Sequence, residues 1–201
     1  SALLLGLALG RGLGRMAFAL FDTPVATIRG WAVSASGYAG VWATENTREA
    51  LFDALRRREV YASTGPRMSV RFFGGYGFEP ADAARSDPAS VGYAKGVAMG
   101  ASLPARPEGL APSFLVAVLR DPEGANLDRV QIVKGWSQSG QSFEKIHDVA
   151  WAGARKPDPS TGKLPPVGNT VDLAKGRYRD SIGGAQLGAV WTDPDFDPNI
   201  R

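Results

Sequence analysis

Between residues 47 and 73 the apolar positions change period. In "TREALFDALRRREVYASTGPRMSVRFF", Leu51, Ala54 and Leu55 recur at helical spacing, with Phe52 at the margin of their face. Asn46 stands where a helix N-cap is wanted, and Glu49 follows three residues later as in a capping box. The predicted helix ends in Arg56–Arg58, where cations complement the helix dipole. Val60, Ala62 and Thr64 then alternate with Tyr61 and Ser63, which is strand period. Gly65-Pro66 bends the chain. Met68, Val70 and Phe72 alternate with Ser69, Arg71 and Phe73 as a second strand.

The same reading extends in both directions. Ala2 to about Leu13 reads as a helix, with Leu3, Leu4 and Leu7 near one face, and Met16 to Phe21 as a short buried strand. Residues 79–112 are rich in Pro, Ala, Gly and Asp, with one short strand expected near Val91 to Met99. From Phe114 onward the pattern is antiparallel β. "FLVAVLR", "LDRVQIVKGW" and "FEKIHDVAW" are strands separated by the turn signals "DPEGAN" and "SGQS". A loop is expected over 152–168, and "NTVDLAKGRYRDSI" and "AQLGAVWTD" complete the predicted strands. The fold class expected is α+β, mainly β.

Composition narrows the chemistry. The 201 residues include 25 Gly and 14 Pro, which favours short strands and many turns over long helices. A net charge of +3 with interspersed signs lacks the clustered excess that a nucleic-acid surface needs. The absence of cysteine removes disulfides, thiolate zinc sites and cysteine nucleophiles. The apolar run at the start breaks at Gly6 and Gly10-Arg11, far short of the ~20 residues of a membrane span.

Few residues are candidates for chemistry. His147 is the single histidine and lies mid-strand, with Asp148 on the opposite face, so it reads as structural. "DPEGANLD" lacks the order of a calcium loop, and the acidic "DPDFD" at Asp193–Asp197 reads as a solvated turn. "GRGLGR" does not match a phosphate loop. Tyr61, Ser63 and Arg67 differ from these. They lie on or just beyond one strand beside a Gly-Pro bend, the kind of position that lines sites in α/β folds. Tyr76, Trp136 and Trp191 are candidate aromatics for a carbohydrate or protein surface.

The segment "GVWATENTREALFDALRRREVYASTGPRMSVRFF", together with "SALLLGLAL", "DPEGANLDRVQIVKGW" and "LPPVGNTVDLA", resembles the family known as domain of unknown function 3604. The resemblance implies kinship with the PHP (polymerase and histidinol phosphatase) metallohydrolases. It implies that residues 1–73 are the C-terminal elements of a PHP-like α/β barrel, followed over 74–201 by an antiparallel, β-sandwich-like accessory domain. PHP-type sites use early H-x-H pairs and a late D-x-H, holding divalent metal such as zinc. Here the interval where the family's D-[ST]-H belongs holds only "FDTP", so Asp22 is a weak remnant of a ligand and Pro24 replaces the histidine. No cofactor is therefore expected in this chain, although complete homologues are implied to carry a divalent metal. The expected function is that of the C-terminal portion of a metallohydrolase-related protein, without catalysis of its own. Its expected partner is the remainder of its own polypeptide, and the resemblance favours a periplasmic or exported location. The alternative is a noncatalytic β-sandwich module that binds carbohydrate or protein.

Overall fold

The apolar run at 114–119 and the alternating run at 69–73 fall in neighbouring strands in a computed structural model that describes residues 37–200. Eight strands and two α-helices occur among the described residues. They are β1 (Tyr38–Val41), α1 (Arg48–Arg57), β2 (Val60–Ser63), β3 (Ser69–Gly75), α2 (Pro88–Lys95), β4 (Gly96–Ala98), β5 (Ser113–Leu119), β6 (Arg129–Gln138), β7 (Gln141–Trp151) and β8 (Gln186–Thr192). Every strand pairing is antiparallel: a β1-β2 ribbon, a sheet ordered β4-β3-β5-β8, and a β6-β7 hairpin. The fold is thus α+β and mainly β, and the described residues form no closed barrel.

β5 is continuously apolar because both faces of its sheet are covered. Phe114 and Val116 point to one face and pack with Phe72 of β3, with Met99 just after β4 and with Ile132 of the hairpin, while Val149, Ala189 and Trp191 lie at the margin. Leu115 points to the other face and packs with Phe73 and Phe78 beneath α2 and a 3-10 turn at Pro80–Ala84. The hairpin lying on the sheet gives this part a sandwich-like layering. Ser139 and Gly140 close it with φ of 51° and 76°, the left-handed pair that a two-residue hairpin turn requires.

The β1-β2 ribbon covers the edge that β3 leaves open. Three outward carbonyls at alternate positions of that edge are all satisfied. Met68 O accepts from Tyr61 Oη at 2.9 Å, Val70 O from Trp42 Nε1 at 2.8 Å, and Phe72 O from Met99 N at 2.9 Å. Side chains of the ribbon therefore do part of the work of another strand, which protects the edge from foreign pairing.

Helix α1 forms as its pattern predicts, but its cap is Thr47, whose Oγ1 accepts from Ala50 N, and not Asn46. Only Ala54 of its apolar face is buried; Phe52 and Leu55 are exposed. The arginine run divides: Arg56 and Arg57 lie in the last turn, while Arg58 is the left-handed cap at φ 61°. A side chain in that conformation is strained. Arg58→Gly is expected to raise stability by about 0.5–1 kcal/mol in urea unfolding.

Two sequence expectations need correction. The strand expected near Val91 to Met99 is mostly helix α2, because Asp87 Oδ1 caps the N–H groups of Ala89 and Ser90 and Pro88 opens the first turn. Only Gly96–Ala98 is strand. The segment "NTVDLAKGRYRDSI" is a loop with a single bridge, Asp172 to Arg177; several of its side chains bond within local turns, as where Ala174 N donates to Asp172 Oδ1, and Tyr178 and Asp180 tie it to the Arg120–Gly124 turn. The helix expected at residues 2–13 and the strand at 16–21 lie outside the described residues.

Candidate functional site

Tyr61 and Ser63 share one face of β2, and the Gly65-Pro66 bend turns the chain so that Arg67 follows beside them. The three residues the sequence singled out line one groove of about 160 Å³, with Tyr38, Gly40 and Met68. Gly40 sits directly opposite Tyr61 in the ribbon, and the Tyr61 ring folds over it. A Cβ at Gly40 would lie 2.2 Å from Tyr61 Cζ, so only glycine leaves room for the ring.

The side chains of the groove differ in how far they are committed. The Tyr61 hydroxyl donates to Met68 O and is spent on the fold. Ser63 is buried, and its Oγ accepts from Gly65 N only at 3.5 Å. Arg67 is anchored through its backbone, whose N–H donates to Asp121 Oδ2 at 2.7 Å. That bond comes first among the causes holding the Asp121 carboxyl below its usual range, followed by the N–H of Glu123 and the charges of Arg67 and Arg120. The Arg67 guanidinium is 6.0 Å from the Tyr38 ring and, among the described residues, has no carboxylate within 4.0 Å. The groove thus offers the Arg67 guanidinium to an anionic group, with no carboxylate or histidine among its lining residues.

The single histidine is elsewhere. His147 in β7 packs 4.8 Å from Trp191, with Nε2 buried and without a hydrogen-bond partner. Burial first, then the Lys145 charge, pushes its pKa down from 6.5; Asp195 and Asp193 oppose this and Lys134 adds to it. The folded state therefore binds fewer protons than the unfolded state below that pH. Stability is expected to be level above about pH 6.5 and to fall as pH drops through and below it, and His147→Gln should flatten that decline. Thermal melts between about pH 8 and about pH 5 check both statements.

The other candidates are tied into the fold to differing degrees. In the acidic turn, Asp193 is buried against Lys134 Nζ at 2.6 Å, and Asp195 pairs with Lys145. Trp191 is half-buried core stacked on Phe114, not a surface aromatic. Tyr76 donates to Pro104 O, and Trp136 stacks on the exposed Phe143 at 5.5 Å. Among the described residues no three His, Asp or Glu side chains converge in a way that suits a metal ion. Asp22 lies outside the described residues. No helix among them is long and apolar enough to cross a membrane.

A second groove, which the sequence reading missed, opens at the other end of the ribbon. Trp42, Thr44, Arg57, Glu59, Arg71 and Tyr93 surround about 390 Å³. The Arg71 guanidinium sits over the Trp42 ring, its Cζ 3.3 Å from the ring centroid, and its Nη1 donates to Tyr93 Oη at 3.4 Å. Tyr93 Oη donates to Glu59 Oε2 at 2.9 Å, and Arg57 Nε donates to Oε1 at 3.1 Å. Burial, then the hydrogen bond and charge of Glu59, raise the pKa of Tyr93 against the opposing Arg71. In the sequence the only signal was Arg71, a cation at a polar position of a predicted strand.

The family described as "Protein of unknown function (DUF3604)" matches residues 14–201. The chain belongs to the DUF3604 family. Both grooves lie within the stretch of this DUF3604 chain that the family covers. No curated protein matches it, and no solved structure does.

Proposed function

We propose that this DUF3604 chain is the C-terminal portion of a PHP-like, metallohydrolase-related protein, and that on its own it supplies a wall of a site and not the chemistry. The observation that carries this reading is the groove at Tyr61, Ser63 and Arg67. It presents a guanidinium without a carboxylate partner among the described residues, beside neither a base nor a set of metal ligands. Such a surface positions a substrate whose reacting group is handled by ligands supplied from elsewhere in the polypeptide. In this reading residues 1–73 are the last elements of the barrel and 74–201 the accessory domain, and β3 carries the chain from one to the other. The partner is the remainder of the same polypeptide, and an exported location follows from the family resemblance; fractionation of the native cells tests the location.

Metal analysis of a full-length family member tests the reading. A divalent metal such as zinc, retained through gel filtration, together with hydrolysis of a phosphate ester, is the expected result. Full-length protein that binds no metal overturns it.

A second reading rests on Trp136 and Phe143, an aromatic stack on the hairpin with Phe143 40% exposed. It would make the β-rich part a binding module for carbohydrate or protein. Glycan-array or pull-down binding that falls on Trp136→Ala favours this reading, and binding unchanged by the substitution removes it.

A further inference from the structure

We propose that the groove between Trp42, Glu59, Arg71 and Tyr93 is a binding site for a hydroxylated carboxylate of monosaccharide size, separate from the groove at Arg67. The two grooves lie at opposite ends of the β1-β2 ribbon: Tyr38 pairs with Ser63 at one end, and Val41 pairs with Val60 at the other, next to Trp42 and Glu59. The second groove holds two arginines and one glutamate. Arg57 is engaged with Glu59, whereas Arg71 has, among the described residues, only the neutral Tyr93 hydroxyl as a hydrogen-bond partner. One cationic charge is left over.

The Arg71 guanidinium is also held in place before any ligand arrives. The Trp42 ring backs it from one side, and Trp42 is itself pinned by its indole N–H to Val70 O. A flat, positioned guanidinium suits the two oxygens of a carboxylate. The neighbouring Glu59, only 12% exposed in its side chain, is held on both oxygens by Arg57 and Tyr93. Each of those oxygens keeps a further lone pair that accepts from a ligand hydroxyl. Glu59 also sets the charge the site tolerates. A monoanion is balanced by Arg71, but a dianion such as a phosphate monoester would be repelled by the glutamate. A volume of about 390 Å³ accommodates a sugar-sized molecule.

Calorimetric titration of the full chain with D-glucuronate, D-glucose and inorganic phosphate tests the proposal. Glucuronate is expected to bind saturably below about 10 mM, with glucose and phosphate at least about tenfold weaker. Arg71→Gln is expected to weaken glucuronate by about tenfold or more, and Arg71→Lys by less, because it keeps the charge but not the planar fork. Circular dichroism establishes that each variant is folded. If Arg71→Gln does not fold, Glu59→Gln replaces it: removing the glutamate charge should raise phosphate affinity relative to glucuronate. No saturation with glucuronate, equal binding of glucose, tighter binding of phosphate, or variants that leave the order and strength unchanged would each overturn the assignment. The metal content of the full-length protein is indifferent to these outcomes, so failure here is distinguishable from failure of the metallohydrolase reading.

Discussion

Leu115→Ala is expected to destabilise the protein by about 2–5 kcal/mol, the largest effect of any single truncation considered. Leu115 is fully buried on one of the two central strands of the four-stranded sheet, and it packs with Phe73 and Phe78 beneath α2 and the 3-10 turn. The space it leaves is walled by sheet backbone on one side and by two aromatic rings on the other, so the cavity has little means of collapsing. Leu119, on the same strand, is 50% exposed and serves as the control: Leu119→Ala should change stability by no more than about 0.5 kcal/mol. Urea unfolding of both variants gives the comparison. Equal costs would mean that the face beneath α2 is not a packed core.

Gly40→Val is expected to cost about 1–3 kcal/mol and to abolish the groove at Arg67. The new Cβ would lie 2.2 Å from Tyr61 Cζ, so the ring must leave its place over the ribbon. Its departure breaks the hydrogen bond to Met68 O and uncovers the β3 edge. It also removes the contact with Trp42, 6.1 Å away, which anchors the second groove. Tyr61→Phe separates the parts of this effect. It keeps the ring and loses only the hydrogen bond, for about 0.5–1.5 kcal/mol. A Gly40→Val protein as stable as the parent in thermal melts would show that Tyr61 does not close over Gly40.

Most of the β architecture is legible in the residues themselves. β2, β3 and β5 to β8 announce themselves by alternation, by an apolar run, or by the Ser139-Gly140 turn, because their side chains report directly which face is buried. A strand is expected near Val91 to Met99, but most of that stretch belongs to α2, and the deciding feature is local chemistry: the Asp87 carboxylate capping a helix that Pro88 begins. Gly92, unattractive in a helix by propensity alone, is where α2 approaches Phe73; a Cβ there would lie 2.3 Å from the Phe73 ring. Tertiary packing overrides propensity at that point.

The candidate sites divide in the same way. Tyr61, Ser63 and Arg67 could be found in the sequence because one strand and one bend bring them together within seven residues. The second groove could not, since Trp42 meets β3 across 28 residues, and Tyr93 meets Glu59 across 34 and Arg71 across 22. No local period encodes such meetings. Trp191 failed as a surface aromatic for a related reason: its register opposite Phe114, which the sequence does not state, turns it into the core.

The role proposed for the Arg67 groove is tested most directly by kcat/KM for a phosphate diester, measured on full-length protein with and without Arg67→Ala at equal metal content. The predicted result is a fall of at least about tenfold with the melting temperature preserved, because a guanidinium that positions the substrate is lost while the metal chemistry remains. An unchanged kcat/KM in a folded, metal-loaded variant would contradict it.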